Sequence, residues 1–323
     1  MEKKDCRLIF MGTPDFAVES LKKLYENSYN IVAVVTNPDK PAGRGQKIKE
    51  SAVKKYALSK GLKILQPDSL KDEQFQNELR ALRPSLQVVV AFKILPPAIF
   101  TIPSHGTFNL HASLLPQYRG AAPINHAIIK GEHETGVTTF FLDEKVDTGK
   151  IIDQRKVAIS NTDTAGSLHD KLMAEGAELV KSTVDSIIDD TYSIIPQHKL
   201  VNEYEALKKA PKIYNKDCRI NWQDDVSTIH NFIRGLSPYP AAWTELIDSQ
   251  HNRKKTKILY GEPVYENHEL QYGTIQTDQK NYLKVAVKNG FIDIKNLKVE
   301  GKKNMQIEDF LRGFKDIDHC YFE

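Results

Sequence analysis

An asparagine and a histidine stand two residues apart in this chain, at Asn109 and His111. On an extended segment, residues i and i+2 project from the same face, so the amide and the imidazole can reach one ligand. Both groups donate hydrogen bonds, and together they could stabilise a negative oxygen that develops on a carbonyl carbon. Taken alone, the pair also fits a core histidine and a turn asparagine, because motifs this short often arise by chance.

The residues that follow extend this pair into a longer pattern. After Asn-x-His come Ser113-Leu114-Leu115-Pro116, then Tyr118-Arg119-Gly120 and, further along the chain, Asp147-Thr148-Gly149. In this order the sequence resembles the folate-dependent formyltransferases, from Arg7 through Trp243 and more weakly beyond. The resemblance implies an enzyme that takes a formyl group from 10-formyltetrahydrofolate, with Asn109, His111 and Asp147 as its catalytic residues.

Branches of this family differ within the same pattern. Glycinamide ribonucleotide formyltransferases are shorter and typically have proline after the histidine and Phe-Lys-Gly further on, where this chain has Ala112 and Tyr118-Arg119-Gly120. Sugar-nucleotide formyltransferases tend to have Arg-Ala-Pro and Asp-Ala-Gly, where this chain has Ala121-Ala122-Pro123 and Asp147-Thr148-Gly149. The stretches 37–49 and 210–222 are similar to the enzymes that formylate methionyl-tRNA. The resemblance therefore implies initiator methionyl-tRNA as the acceptor and a role in translation initiation.

Two other functions remain open on the same residues. One is formyl transfer to an amino-sugar nucleotide, for which the C-terminal domain would serve a different acceptor. The other is a non-catalytic RNA-binding protein on the formyltransferase scaffold. The intact set of Asn109, His111 and Asp147 argues against a pure binding protein, which has no chemical need for all three.

The chemistry of the donor gives each residue of the trio a task. An amine that adds to a formamide-like carbonyl produces a tetrahedral carbon with an oxyanion, which Asn109 and His111 would stabilise. Asp147 would hold and orient the His111 ring. Removal of one such hydrogen-bond donor typically costs about 10²–10³ in turnover.

A basic loop agrees with tRNA as the acceptor. Residues 37–49 hold two prolines and two glycines, which predict an irregular segment, and four basic residues against Asp39 alone. By the resemblance, this loop enters the acceptor stem near its first position, with Arg44 and Lys47 as contacts. The resemblance adds a second group of contacts beyond the loop: Lys208, Lys209 and Lys212. On composition alone, a solvated loop is as compatible with the sequence as an RNA contact.

The folate contacts rest on the resemblance of residues 91–96 to the segment that surrounds the pterin ring. The implied contacts are Phe92, Ile94, Leu95, Ser113, Leu114, Leu115, Pro116, Leu142 and Asp143. Core packing is a competing explanation for the apolar members. Lys93 replaces a glycine that many family members carry, so we expect no side-chain role there.

Other nucleotide and metal chemistries lack their motifs. Gly12 follows the first predicted strand, but the second and third glycines that a dinucleotide-binding loop needs are absent. The sequence has no Gly-x-x-x-x-Gly-Lys-Ser/Thr loop and no His-Glu-x-x-His, and its three cysteines are scattered. We therefore expect neither a nicotinamide cofactor nor a metal.

Apolar runs predict the sheet that must position the trio. Near-continuous runs at 8–11, 31–35 and 86–92, separated by helical stretches such as 15–25, indicate a parallel, Rossmann-like sheet with helices on both faces. The sequence also predicts strands at 137–142 and 150–157. Apolar residues at helical spacing between 162 and 189 predict one long helix.

The C-terminal third has a different pattern. Short alternating runs such as 242–247, 257–260 and 282–287, punctuated by glycines, are typical of a small OB-like β-barrel. The predicted organisation is a formyltransferase catalytic domain over 1–190, a polar linker over 191–210 and a β-barrel tRNA-binding domain over 211–323.

Length and charge agree with this organisation. A chain of 323 residues favours two domains, and a net charge of +3 is too small to indicate nucleic-acid binding, so any basic surface must be local. The first apolar run, Leu8–Met11, is too short for a signal peptide, and no later stretch approaches a membrane span. We expect a monomeric cytoplasmic protein without a membrane partner.

Overall fold

The computed structural model describes residues 2–42, 47–201, 206–314 and 316–323, without the side chains of Ala42 and Lys47. The chain forms two compact units. The first comprises Met1–Gly120, Glu134–Ala158 and His169–Lys209, and the second comprises Ala121–His133, Ile159–Leu168 and Ala210–Glu323. The chain therefore passes between the units several times rather than once.

A seven-stranded sheet forms the centre of the first unit. Its strands are β1 (Leu8–Gly12), β2 (Ile31–Val35), β5 (Ile64–Leu65), β6 (Leu86–Val90), β7 (Thr107–His111), β9 (Glu134–Phe141) and β10 (Ile151–Ala158). Their order is β10-β9-β7-β6-β1-β2-β5. Strands β7, β6, β1, β2 and β5 are parallel, and β9 runs antiparallel to both β7 and β10. The prediction of a mostly parallel α/β sheet is confirmed.

Burial explains why the central strands are continuous apolar runs. Every residue of β1 and of β6 is buried, as expected for strands that are covered on both faces.

The helices along the chain are α1 (Asp15–Glu26), α2 (Ala52–Ser59), α3 (Glu73–Ala81), α4 (Pro97–Phe100), α5 (Pro123–Ile129), α6 (Ala165–Ile188), α7 (Val226–Leu236) and α8 (Ile307–Gly313). At α2, α3 and α7 a side chain caps the first turn: Ser51 accepts from the Lys54 N–H, Asp72 from the Gln74 N–H and Asp225 from the Thr228 N–H.

An antiparallel sheet forms the second unit. Its strands are β12 (Ala242–Ile247), β13 (Arg253–Val264), β14 (Ile275–Thr277), β15 (Leu283–Val287), β16 (Gly290–Val299), β17 (Met305–Gln306) and β18 (Tyr321–Phe322). The order is β14-β15-β16-β13-β12-β18, with β17 on β16. A bridge between Thr274 and Tyr321 links the two edges, so the sheet curls into a nearly closed barrel. The prediction of a smaller β-barrel is confirmed.

Two segments from earlier in the chain complete the second unit by packing on α7. The Arg234 guanidinium on α7 is buried and donates to the carbonyls of Ser160 and Asp163, at 3.2 and 3.0 Å. On α5, the side-chain amide of Asn125 donates to the Gly235 carbonyl at 2.8 Å. A Cβ at Gly235 would lie 2.6 Å from the Ile129 side chain, so only glycine permits this approach of α5 to α7.

The basic loop is more regular than its composition predicts. Two three-residue strands, β3 (Lys40–Ala42) and β4 (Lys47–Lys49), pair antiparallel within it, so the expectation of an irregular segment is corrected. Pro41 lacks an N–H, but a two-stranded ribbon has a free edge on each strand and tolerates the missing donor.

The remaining elements are short. They are β8 (Arg119–Gly120), β11 (Lys209–Ala210) and the 3₁₀ helices Gln197–Leu200, Asn215–Cys218 and Ile317–His319. Over the ranges that the structure describes, no helix is both long and apolar enough to cross a membrane.

Candidate active site

Strand β7 places Asn109 and His111 on one face of the sheet, because side chains alternate along a strand. The strand lies between β6 and β9, with Asn109 opposite Val89 on one side and Phe140 on the other. His111 is 7% exposed, whereas Asn109 is partly exposed. Among the residues that the structure describes, none forms a hydrogen bond with the Asn109 side chain. Its amide is therefore available to a ligand.

Hydrogen bonding fixes which nitrogen of His111 is available. Nε2 lies 2.9 Å from the Tyr118 carbonyl oxygen, and because a carbonyl only accepts, Nε2 carries a hydrogen. Nδ1 lies 4.0 Å from Asp147 Oδ2. Chemistry at His111 must therefore use Nδ1, which accepts a proton in the neutral ring and donates one in the cation.

Asp147 lies in the turn between β9 and β10, in a left-handed backbone conformation with φ of 57°. This conformation is uncommon for a residue with a side chain. The Gly120 N–H donates to Asp147 Oδ2 at 3.0 Å, which holds the carboxylate toward His111. Two residues on, a Cβ at Gly149 would lie 1.7 Å from the Phe141 carbonyl oxygen. The turn is thus folded tightly onto the end of β9. It places the Asp147 carboxylate beside His111, on the strand that also carries Asn109.

A glutamine that the sequence did not identify also contacts this turn. Gln197 is 3% exposed, and its amide nitrogen donates to the carbonyls of Asp147 and Gly149, both at 2.9 Å. Its oxygen accepts from Arg119. The one available signal was Ile194-Ile195-Pro196 just before it, an apolar pair in a polar segment. Ile195 in fact bridges Ile151 at the start of β10.

The segment after His111 is held by its own network. The Ser113 hydroxyl donates to the Gln117 carbonyl at 2.7 Å, and Thr138 donates to the Ser113 carbonyl at 2.6 Å. Gln154 donates to the Leu115 carbonyl at 2.9 Å. Ser113 is buried, and its hydroxyl and its carbonyl are both used in these local hydrogen bonds.

The proposed folate contacts have different exposures. Ile94 is 75% exposed, and Phe92 and Leu142 pack against the core while remaining partly exposed. Leu95 and Leu115 lie in the core. The others divide in the same way: Leu114 is half-buried, Pro116 is buried, and Asp143 is exposed and accepts from Thr148. Only the partly exposed members offer apolar surface to a ligand.

The basic residues proposed to contact RNA are placed as follows. Lys208 and Lys209 in the first unit and Lys212 in the second are exposed, and Lys212 Nζ lies 5.3 Å from the Tyr214 ring centroid. Arg44 lies outside the residues that the structure describes, as does the side chain of Lys47.

The acidic residue of the basic loop already has partners. Asp39 contacts Lys54 and accepts from the Gln66 amide at 2.9 Å. The hydrogen bond from Lys54, with that from Gln66, lowers the pKa of Asp39 below its usual range. The negative charge of Asp39 is therefore paired with the positive charge of Lys54 at the base of the loop.

No group of three histidine, cysteine or acidic side chains is arranged to hold a metal ion within the part of the chain that the structure describes. The site consists of an amide, an imidazole and a carboxylate. These are the groups of an enzyme that transfers an acyl group by stabilising charge and moving protons.

Comparison with known proteins identifies the family. The sequence model described as formyl transferase matches residues 6–184, and the one described as formyl transferase, C-terminal domain, matches residues 212–315. The chain belongs to the formyl transferase family.

Relatives with assigned names match the chain along its whole length. The methionyl-tRNA formyltransferase of Parabacteroides distasonis is 55% identical over 318 residues, and that of Bacteroides thetaiotaomicron is 53% identical over 318 residues; both matches cover 98% of each chain. Among solved structures, an N-formyltransferase from Helicobacter canadensis in complex with folinic acid and dTDP-3-aminofucose has a TM-score of 0.63 and 25% identity. That match covers 89% of this chain and 98% of the other.

Proposed function

We propose that this protein transfers a formyl group from 10-formyltetrahydrofolate to the amino group of initiator methionyl-tRNA. The observation that carries the proposal is the match of 98% of the chain to methionyl-tRNA formyltransferases at 55% and 53% identity. The placement of Asn109 and His111 on one strand, with Asp147 4.0 Å from His111, supports the proposed chemistry. By this proposal the protein acts in translation initiation, as a monomer in the cytoplasm.

The partly exposed apolar residues fit the folate donor. A pterin ring needs apolar surface beside polar groups, and Phe92, Ile94 and Leu142 supply such surface. When bound, the donor supplies a formyl carbonyl that is activated as an amide of the folate nitrogen. We assign Asn109 to donate a hydrogen bond to the formyl oxygen as negative charge develops on it.

We assign the proton transfers of the reaction to His111, with Asp147 beside it. The attacking amine must lose a proton, and the folate nitrogen must gain one when its bond to the formyl carbon breaks. With Nε2 held by the Tyr118 carbonyl, Nδ1 of His111 accepts a proton in the neutral ring and donates it from the cation. Asp147, 4.0 Å from Nδ1, stabilises the cation that exists between these two events.

The assignment of tRNA as the acceptor is supported by the basic residues. Because Lys54 already partners Asp39, the basic residues of the loop are not offset by that carboxylate, and phosphates attract such a loop. We assign tRNA contacts to Arg44 and Lys47 in the loop, and to Lys208, Lys209 and Lys212. We further assign catalysis to residues 1–190 and tRNA binding to residues 211–323, joined by the segment 191–210.

A transfer assay with labelled 10-formyltetrahydrofolate tests the proposal. Charged initiator tRNA, charged elongator tRNA and an amino-sugar nucleotide are offered in parallel to the wild-type chain. The proposal expects rapid labelling of the initiator tRNA. Labelling of the sugar nucleotide alone would preserve the catalytic trio but overturn the acceptor. Tight binding of tRNA without any transfer would favour a non-catalytic RNA-binding protein.

A further inference from the structure

Gln197 is a buried side chain whose hydrogen-bonding groups are all directed at the active-site turn or at one arginine. Its side-chain amide nitrogen donates two hydrogen bonds, to the main-chain carbonyls of Asp147 and Gly149 in the turn. Its oxygen accepts two bonds from Arg119, from Nε at 3.0 Å and from Nη2 at 2.6 Å. A carboxamide has two donor hydrogens and two acceptor lone pairs, so these four bonds use all of them.

The turn that Gln197 holds needs external support. Asp147 adopts a left-handed conformation that costs free energy for a residue with a side chain, and such conformations persist only where surrounding groups enforce them. One of the two carbonyls bonded to Gln197 belongs to Asp147 itself, and the other belongs to Gly149, two residues further along the turn. If they are released, the carboxylate loses its fixed position relative to His111 Nδ1.

Arg119 determines which way the Gln197 amide faces. A guanidinium only donates, so it must face the amide oxygen, and this turns the amide nitrogen toward the two carbonyls. Arg119 also directly precedes Gly120, whose N–H donates to Asp147 Oδ2. The Asp147 carboxylate and its main chain are therefore held from the same short segment, once directly and once through Gln197.

We propose that Gln197 is a positioning residue for the formyl transfer reaction, which acts by holding the Asp147 carboxylate against His111. This inference rests on the proposed function for its kinetic consequence. Among the described residues no hydrogen bond joins Gln197 to His111 or Asn109, and Gln197 has no predicted contact with substrate. Its effect on turnover passes through Asp147 alone.

Two substitutions separate positioning from space-filling. Gln197→Glu has nearly the same shape and keeps an acceptor for Arg119, but it turns a second acceptor toward the carbonyls of Asp147 and Gly149. Gln197→Ala removes every bond. A positioning role expects kcat to fall about 10- to 100-fold in both variants, because a displacement of about 1 Å at a reacting group costs about that much, with little change in KM for the folate. A space-filling role expects Gln197→Glu to remain near wild type.

Gln76 provides a matched control. On α3 its amide donates to the Leu70 carbonyl at 3.3 Å and its oxygen accepts from Arg80 at 3.4 Å. It therefore has the same kinds of partner as Gln197, but these two partners are not residues of the site. Gln76→Ala is expected to keep wild-type kcat. A comparable loss of kcat in Gln76→Ala would show that removing any such glutamine lowers activity, and would overturn the inference.

A double-mutant comparison tests whether the effect passes through Asp147. In an Asp147→Asn background, Gln197→Ala should lower kcat by less than about threefold, because the positioned carboxylate is already absent. An equal 10- to 100-fold loss in both backgrounds would mean that Gln197 acts by another route and would overturn the inference.

A structural readout keeps this inference separable from the proposed function. Crystal structures of wild type and Gln197→Glu should show the Asp147 Oδ2 to His111 Nδ1 distance lengthened in the variant. If the wild type transfers no formyl group, the proposed function fails, and this distance alone decides whether Gln197 positions Asp147. If the wild type is active and the variant has wild-type kcat and an unchanged distance, the positioning role fails.

Discussion

Gly149→Ala tests how tightly the active-site turn is built. A Cβ at this position would lie 1.7 Å from the Phe141 carbonyl oxygen, whereas real Cβ contacts stay at 3.0 Å or beyond, so the turn or the end of β9 must move by about 1.3 Å. Gly149 is buried, and its carbonyl accepts one of the bonds from Gln197. A displacement of this size is large compared with the tolerance of the 3.0 Å bond that holds Asp147 Oδ2.

The expected cost has two parts. Overpacking of this kind lowers the free energy of unfolding by about 1–3 kcal/mol. Misplacement of Asp147 by about 1 Å should lower kcat on the order of 100-fold. Urea unfolding gives the first quantity, and transfer of labelled formyl to charged initiator tRNA gives the second.

Gly313→Ala is the matched control, because its Cβ would meet none of the described residues within 4 Å and its φ is not positive. Gly313 closes α8, where alanine is favoured over glycine, so this variant should be at least as stable as the wild type and fully active. If Gly149→Ala behaves like Gly313→Ala in both assays, the close approach of the turn to β9 is refuted.

Three other expectations concern single side chains. Asn109→Ala removes an amide that has no hydrogen-bond partner among the described residues, so the free energy of unfolding should change by less than about 0.5 kcal/mol while kcat falls about 10²–10³-fold; wild-type turnover would exclude its role. Burial, assisted by the Arg234 cation, lowers the pKa of His230 from 6.5 to about 4. As the pH falls through this range the unfolded chain takes up the proton first, so stability should drop by up to roughly 3 kcal/mol, and urea titrations of His230→Gln should lack that loss. Arg44→Ala should raise KM for charged tRNA and weaken its salt dependence without affecting transfer to methionyl-adenosine, and an equal loss with both acceptors would contradict the assigned contact.

The apolar strands were the most predictable part of the fold. Ile31–Val35 and Ala242–Ile247 are strands with the predicted ends, because a buried strand bounded by turn residues is a compact local signal. Helix α7 was not predicted, although Val226, Ile229 and Ile233 are buried at helical spacing and Asp225 caps the helix. Its signal was present but lies within a region that otherwise reads as short strands.

The active site was predictable only where side chains carry the chemistry. Asn109, His111 and Asp147 could be identified because each contributes a functional group in a recognisable pattern. The Tyr118 carbonyl that fixes the His111 tautomer could not, since any residue supplies a main-chain carbonyl. Gln197 is 50 residues from Asp147 along the chain and contacts main-chain atoms, so nothing in its local sequence indicates that partner.

The interleaving of the two units has a consequence for synthesis on the ribosome. Residues 121–133 and 159–168 emerge long before α7, on which they pack through Asn125 and Arg234. Until Val226–Leu236 has been translated, Ile129 on α5 lacks the core against which it packs, and contacts between segments so distant in sequence are slow to form. The second unit is therefore not assembled from the C-terminal third of the chain alone. Completion of the second unit must wait for nearly the whole chain, and a nascent protein stalled before α7 would present exposed apolar surface to chaperones.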